Sequence, residues 1–381
     1  IPRKLDLVLS LSHLRRIVEY CPADLTVTAE AGVPLGDLQE VLAAQNQTLP
    51  LYPSHSSRAT LGGILATDQS GPQQIRYGPP HDLLLGLKVA LADGTVVRFG
   101  GKTVKNVTGY DMCRLFAGSL GTLVIILEAT FRLYPLPEVE QTLAACFDHV
   151  SQALICLAGI LRDGLDLSAL EILNPPGLKR LASLGGLPFP WDGYLLLAKA
   201  EGREEAVEEH LSHAARLARE NGASSLDLLE GDEELWKSVR DFAPGSLDNS
   251  CSPLSYVICR AGVAPAKTGE MIRSTMEMAD LLGKSWPVLS HAACGRVLVL
   301  LPDEGKPPEE AASRQIEDVE RLSSLAARLG GGVVILAAPV LVKKKINLWG
   351  GSPSALKVMK ELKARLDPKG ILALGRFVGG I

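Results

Sequence analysis

Pro53-Ser54, then Thr60-Leu61-Gly62-Gly63, Ala66-Thr67 and Ser70-Gly71, is the stretch on which the reading of the fold turns. A second one, Gly118-Ser119-Leu120-Gly121-Thr122, runs into a segment rich in β-branched residues that includes Ile126. Glycine lets a turn bring backbone N–H groups up to an anion with no Cβ in the way, and small hydroxyl residues add donors. Loops of this kind suit a diphosphate. Either glycine pair alone also fits a tight turn between strands, but two such loops in one β-rich region favour the ligand reading. The spacing is not the fingerprint GxGxxG, which follows a strand and opens a long helix, because these glycines are expected between β segments. No GxxxxGK[ST] occurs, which excludes a P-loop.

Outward from the glycines, residues 1–137 read as short β-rich runs with few helices. Residues 5–9 and 25–29 alternate as strands, and residues 34–44 form a helix with Pro34 near its first turn. Residues 83–97 read as a strand, an Ala92-Asp93-Gly94 turn and a return strand. Residues 111–116 are a short helix and residues 122–133 a long strand, after which Pro135 and Pro137 end the region. From 138 to 345 longer helical patterns alternate with strands. Residues 204–221 are an amphipathic helix stopped by Asn221-Gly222, and residues 315–329 another stopped by Gly330. Strands are expected near 193–198, 256–260 and 296–301. A last segment, 346–381, holds a helix over 354–366 and then Asp367-Pro368-Lys369-Gly370. The fold class is α+β.

Composition bounds the function. The chain has 381 residues, enough at roughly 100–200 per domain for two or three domains. Lys and Arg number 39 against 43 Asp and Glu, which gives no general attraction to nucleic acid. The longest uncharged apolar run, around residues 329–342, is interrupted by glycines and Pro339 and falls short of the roughly 18 residues of a spanning helix. Seven scattered cysteines, none paired as CxxC, fit reduced thiols in the cytoplasm and no metal site. The sequons at Asn46 and Asn106 read as chance. The first residue is Ile1, and a piece upstream of it is expected.

Several further runs carry a resemblance. They are Arg76-Tyr77-Gly78, Asp82-Leu83-Leu84-Leu85-Gly86, Phe99-Gly100-Gly101-Lys102, Lys105-Asn106-Val107-Thr108-Gly109-Tyr110-Asp111 and Arg114-Leu115-Phe116-Ala117-Gly118-Ser119. With the glycine loops, they resemble the FAD-binding subunits of glycolate oxidase, of the vanillyl-alcohol oxidase and p-cresol methylhydroxylase (PCMH) type. The resemblance is dense over 1–137 and returns at 366–377. It implies a PCMH-type FAD-binding domain of two α+β subdomains (1–137), an α+β cap domain (138–345) and a C-terminal segment (346–381) returning to the FAD domain. The family's first FAD loop is expected upstream of residue 5. Pro53, Ser54, Thr60, Gly62, Gly63, Ala66, Thr67, Ser70 and Gly71 would line the pyrophosphate and ribityl chain of FAD. Gly118, Ser119, Gly121, Thr122 and Ile126 would hold the adenosine and pyrophosphate side. His81 stands where related chains usually carry Arg, and Ala373-Leu374-Gly375-Arg376 where the pattern is Asn-Pro-Gly-Arg.

Relatives that oxidise 2-hydroxy acids carry a His-Ala-Gly-Asp-Gly-Asn-Leu-His-like strand. Here it reads His291-Ala292-Ala293-Cys294-Gly295-Arg296-Val297-Leu298, with Leu298 in the second histidine's place. Oxidation of a 2-hydroxy acid needs a base for the hydroxyl proton and a cation for the carboxylate, which one histidine does not easily combine. His291 is the one catalytic candidate, although a lone histidine in such a place is more often structural. Arg260, Arg296 and Lys343-Lys344-Lys345 could serve an anion, with a solvated face the plainer role for the lysines. Cys294 reads as a buried thiol.

The resemblance implies an FAD-binding subunit working beside a catalytic flavoprotein subunit and an iron–sulfur subunit on a small 2-hydroxy acid such as glycolate or D-lactate. It would be cytoplasmic, with any membrane association supplied by a partner. A self-sufficient FAD-dependent 2-hydroxy acid dehydrogenase and a scaffold subunit that has lost FAD are the alternatives.

Overall fold

Val27 and Ala29 of strand β2 (Thr26–Glu30) are fully buried in a hydrophobic core, while Thr28 bonds Thr130 across the other face of the sheet at 2.9 Å. This two-residue alternation builds a five-stranded antiparallel sheet from β1 (Ile17–Cys21), β2, β3 (Leu84–Ala90), β4 (Val96–Gly100) and β5 (Ile125–Arg132), ordered β1-β2-β5-β3-β4. The computed structural model describes residues 5–103, 109–185, 191–243, 256–303 and 305–381. Two compact units divide the chain. The described residues up to Gln73, Tyr77–Leu136 and Ser352–Ile381 form the first, and Gln74–Arg76 with Pro137–Gly351 form the second.

In the first unit the helix α1 (Leu35–Ala43) inserts Leu35, Leu38 and Leu42 into the core, where Phe116 and Phe131 are wholly enclosed. Burial of each such side chain stabilises by about 1.5–3 kcal/mol. The hairpin between β3 and β4 turns on Asp93, whose carboxylate accepts Thr95 N–H at 2.9 Å, and on Gly94 at φ +88°. Two expectations are corrected here. Residues 5–9 form no strand and lie exposed (Leu7 80%), because no described strand offers that run a ladder. Gly62 and Gly63 lie inside a short helix, α2 (Leu61–Thr67), and not between strands.

In the second unit eight antiparallel strands form one sheet. In chain order these are β6 (Val139–Phe147), β7 (Ala169–Leu173), β8 (Tyr194–Gly202), β9 (Ser225–Leu229), β10 (Tyr256–Gly262), β11 (Val288–His291), β12 (Arg296–Pro302) and β13 (Gly332–Ala337). Their spatial order is β9-β6-β8-β7-β11-β12-β10-β13. The sheet is buried on both faces, so β8 is uninterruptedly apolar over residues 194–198. Leu196, Ala198 and Ala200 enter one core, Leu195 and Leu197 the other. Helices α3 (Val150–Arg162), α4 (Glu204–Glu220), α5 (Thr268–Leu281) and α6 (Pro308–Arg328) cover the first face. α6 begins at Pro308, earlier than its sequence pattern suggested. The chain returns to the first unit at Ser352 and not at 346, because Ile346 and Leu348 still pack on the second unit's core.

Candidate functional site

Thr60 starts α2: its hydroxyl accepts the N–H of Gly63 at 3.3 Å. The first two N–H groups of the helix are also taken within the protein, Leu61 by Val33 O at 3.0 Å and Gly62 by Ala31 O at 2.8 Å. Gly62 therefore serves close packing, since a Cβ there would stand 2.8 Å from Ala31 Cβ and 3.0 Å from Ala31 O. Thr67 turns its hydroxyl back to Gly63 O at 2.8 Å.

The other end of α2 receives the second glycine loop. Gly118 N–H donates to Leu65 O and Leu120 N–H to Ala66 O, both at 2.8 Å. The turn is left-handed at Gly118 (φ +73°), Leu120 (+54°) and Gly121 (+71°). Leu120 is not a glycine, and the conformation costs it about 1–2 kcal/mol. Ser54 lies beside α2's exit, accepting from Gln69 Nε2 at 3.4 Å, and Gly71 abuts the backbone of Tyr52 so closely that a Cβ would overlap its carbonyl oxygen. The fold thus brings Pro53, Ser54, Ala66, Thr67, Ser70, Gly71, Gly118, Ser119, Gly121 and Thr122 into one region of the first unit. Ile126 lies apart from these polar groups, buried in the core on β5 opposite Val89. Lys105, Asn106, Val107 and Thr108, the most specific part of the sequence pattern, fall outside the described residues.

Ser119 is buried, at 5% exposure, and its Oγ makes no hydrogen bond among the described residues. A buried hydroxyl left unbonded costs about 1–3 kcal/mol. A Cβ on Gly121 would meet no atom within 4 Å, so the turn borders open space on that side. These residues fit a diphosphate-bearing cofactor.

His81 is anchored at the same end of α2. Its Nδ1 lies 2.7 Å from Asp68 Oδ2 and its Nε2 3.6 Å from Asp82 Oδ1, while Arg114 pairs with Asp82. An imidazole between two carboxylates occupies the place expected for a guanidinium. Ala373 adopts φ +43°, a backbone conformation suited to the asparagine of the expected pattern.

The C-terminal helix (Leu356–Leu366) adds a group that the sequence reading did not single out. Lys363 Nζ reaches Thr122 O at 2.7 Å, Leu372 O at 2.9 Å and Asp367 Oδ2 at 2.5 Å. Burial pushes the Asp367 carboxyl up, but Lys363 and the N–H groups of Leu372 and Ile371 outweigh it and hold it below the usual aspartate value. The signal was the Lys-x-x-x-Asp spacing on one helix face.

In the second unit, His291 ends β11 between Glu171 of β7 and Arg296 of β12. Its Nδ1 meets Glu171 Oε1 at 2.7 Å, and Glu171 Oε2 is buried without a partner among the described residues. Burial pushes the Glu171 carboxyl above its usual value, against the opposing effect of His291. Burial, then the Glu171 charge, pushes the Cys294 thiol up to about 11, so it is no nucleophile near neutral pH. Leu298 is packed in the core. Glu171, a charge inside the apolar run Ala169–Leu173, was the overlooked partner of His291. Among the described residues no group of three or more His, Cys, Asp or Glu side chains could hold a metal ion, and no helix is long and apolar enough to cross a membrane.

The described fold matches alkyldihydroxyacetonephosphate synthase with a TM-score of 0.68 at 18% identity, over 95% of this chain and 66% of that one. The architecture is that of the PCMH-type flavoproteins. The family description "FAD binding domain" matches residues 3–100, and "FAD linked oxidases, C-terminal domain" matches residues 136–376. The chain is 28% identical to glycolate oxidase subunit GlcD of Bacillus subtilis (strain 168), over 99% of this chain and 80% of that protein. It is 30% identical to the probable mitochondrial D-lactate dehydrogenase of Danio rerio, over 97% of this chain and 74% of that protein. The chain belongs to the FAD-linked oxidase family. It is an FAD-linked oxidoreductase, and its cofactor is FAD.

Proposed function

We propose that this chain is the FAD-binding subunit of a glycolate oxidase-like complex that oxidises a small 2-hydroxy acid, glycolate or D-lactate, and passes the electrons to an iron–sulfur partner. The observation that carries the cofactor half is the unpartnered Ser119 hydroxyl, buried where the two glycine loops meet. FAD, when bound, supplies a two-electron acceptor. Ser119 would donate to a diphosphate oxygen. Gly118, Gly121 and Thr122 would shape the turn around it, with Ser54, Ser70 and Gly71 beside the exit of α2. Thr60, Gly62 and Gly63 would act one step back, by seating α2 tightly on Ala31. In this reading the first unit is the FAD domain and the second the cap.

The substrate half rests on the relatives, which are named as a glycolate oxidase subunit and D-lactate dehydrogenases. The subunit role is supported by the state of the second unit's histidine strand. His291 has its Nδ1 committed to Glu171, and the second imidazole is replaced by the buried Leu298. A base for the hydroxyl proton is then present without the second imidazole of that strand pattern, so a catalytic partner subunit is expected. The iron–sulfur centre is assigned to another subunit because the seven cysteines of this sequence show no CxxCxxC spacing.

The full-length protein should show an oxidised flavin spectrum that stays unbleached on anaerobic addition of glycolate or D-lactate, and bleaches once the partner subunits are added. Bleaching by the isolated subunit would establish a self-sufficient 2-hydroxy acid dehydrogenase, a reading that the likeness to D-lactate dehydrogenases favours. A colourless protein that binds no FAD would sink both.

A further inference from the structure

Lys363 is buried, with 7% of its surface exposed, and three acceptors surround its ammonium group: Thr122 O, Leu372 O and Asp367 Oδ2. An ammonium has three N–H donors, so each has a partner. Asp367 is fixed in turn, since Oδ1 accepts Ile371 N–H at 3.0 Å and Oδ2 accepts Leu372 N–H at 2.8 Å. On the other side, Thr122 sends both its hydroxyl (2.7 Å) and its N–H (3.0 Å) to Ser119 O. A continuous path of bonds therefore runs from Asp367 through Lys363 and Thr122 to Ser119. The turn at its end holds three left-handed residues, Leu120 among them, and so needs an external restraint to keep its shape.

We propose that Lys363, locked by Asp367, is a positioning residue that sets the Gly118–Thr122 turn and thereby aims the Ser119 hydroxyl at the FAD diphosphate. The part that concerns FAD rests on the reading given under Proposed function. The part that concerns the turn does not. Lys363 touches no ligand in this scheme. Its effect is exerted on the turn backbone, and a neutral donor of another length would leave the Thr122 carbonyl unrestrained.

The test uses Lys363→Met in the full-length protein, with the exposed Lys360→Met as the control for loss of charge. Backbone hydrogen exchange at Ser119, Leu120 and Thr122 should accelerate about tenfold or more in Lys363→Met, while Val27 and Ala29 on β2 keep their rates. The Kd for FAD should rise about tenfold, and adding Thr122→Val to Lys363→Met should raise it by less than Thr122→Val does alone, because both act through one turn. Unchanged exchange at the turn overturns the proposal, as does a uniform acceleration across the unit, which would mark a merely structural lysine. Independent, multiplying effects on Kd overturn it too. If Lys363→Met does not fold, Asp367→Asn gives a second comparison: it removes the charge that fixes Lys363 and keeps one of the two oxygens that accept the N–H groups of Ile371 and Leu372. Faster exchange confined to the turn in a protein whose unmodified form binds no FAD would leave the restraint standing and sink the cofactor reading.

Discussion

Glu171 and His291 show how a single buried pair can carry a pH signature. The Glu171 carboxyl is fully enclosed on β7, one oxygen on His291 Nδ1 and the other without a partner among the described residues. Burial raises its folded-state pKa above the unfolded value of about 4.3. A raised pKa means the folded state holds the proton more tightly than the unfolded one. The stability this confers is fully present below the unfolded pKa and is lost as pH rises through the folded value. Glu171→Gln keeps an oxygen for Nδ1–H and cannot ionise. Melting temperatures measured from pH 4 to pH 8 should therefore fall more steeply for the unmodified protein than for Glu171→Gln, with the two curves closest at the acid end. Parallel curves would show that Glu171 binds no extra proton in the folded state. Much at this scale was hidden in the sequence. His291 was legible from its motif, but its partner lies more than a hundred residues away on a strand that looks purely apolar, and only the register of β7 against β11 brings them together.

Among the elements, α2 and the turn docked on it explain why glycine stands where it does. Gly62 lets the helix approach Ala31, and Gly71 lets the chain pass Tyr52, so both glycines report backbone contact and not a need for unusual dihedrals. Gly62→Ala should cost about 1–3 kcal/mol, because Ala31 O is backbone and cannot rotate away. Gly71→Ala should cost at least as much. Gly121→Ala meets no atom, and its cost should be confined to the left-handed backbone, about 1–2 kcal/mol. Denaturant unfolding of the three variants checks the order. A Gly62→Ala protein as stable as the unmodified one would mean that α2 can shift outward freely. α1, α4, β2 and β5 were readable from periodicity because one face of each meets a core, whereas β1, β6, β7, β9, β11 and β13 were not singled out. Gly62 and Gly63 were expected between strands and lie in a helix, since a seven-residue helix opened by Thr60 and Leu61 leaves almost no periodic signal. Residues 5–9 show the converse: a strand pattern in the sequence forms a strand only where a neighbour supplies the ladder.

Across the whole molecule, the two units differ in how the chain builds them. The second is nearly continuous in sequence, Pro137–Gly351, and its sheet carries a core on each face. The first is closed by a segment from the far end of the chain, Ser352–Ile381, which brings Leu366 against the first unit's core and Lys363 to Thr122. Continuity predicts autonomy, because a domain whose core residues are all local in sequence lacks nothing when excised. A fragment of residues 137–351 should therefore fold alone, with a cooperative melting transition and native near-ultraviolet circular dichroism. The full-length protein cut after residue 351 should keep that transition and lose affinity for FAD, because the turn that carries Ser119 then has neither Lys363 nor its packing support. Adding a peptide of residues 352–381 should restore FAD binding in proportion to its own occupancy. Binding by the truncated protein at the affinity of the intact one would show that the C-terminal segment is a passenger. A 137–351 fragment without a cooperative transition would show that the second unit depends on the rest of the chain despite its continuous core.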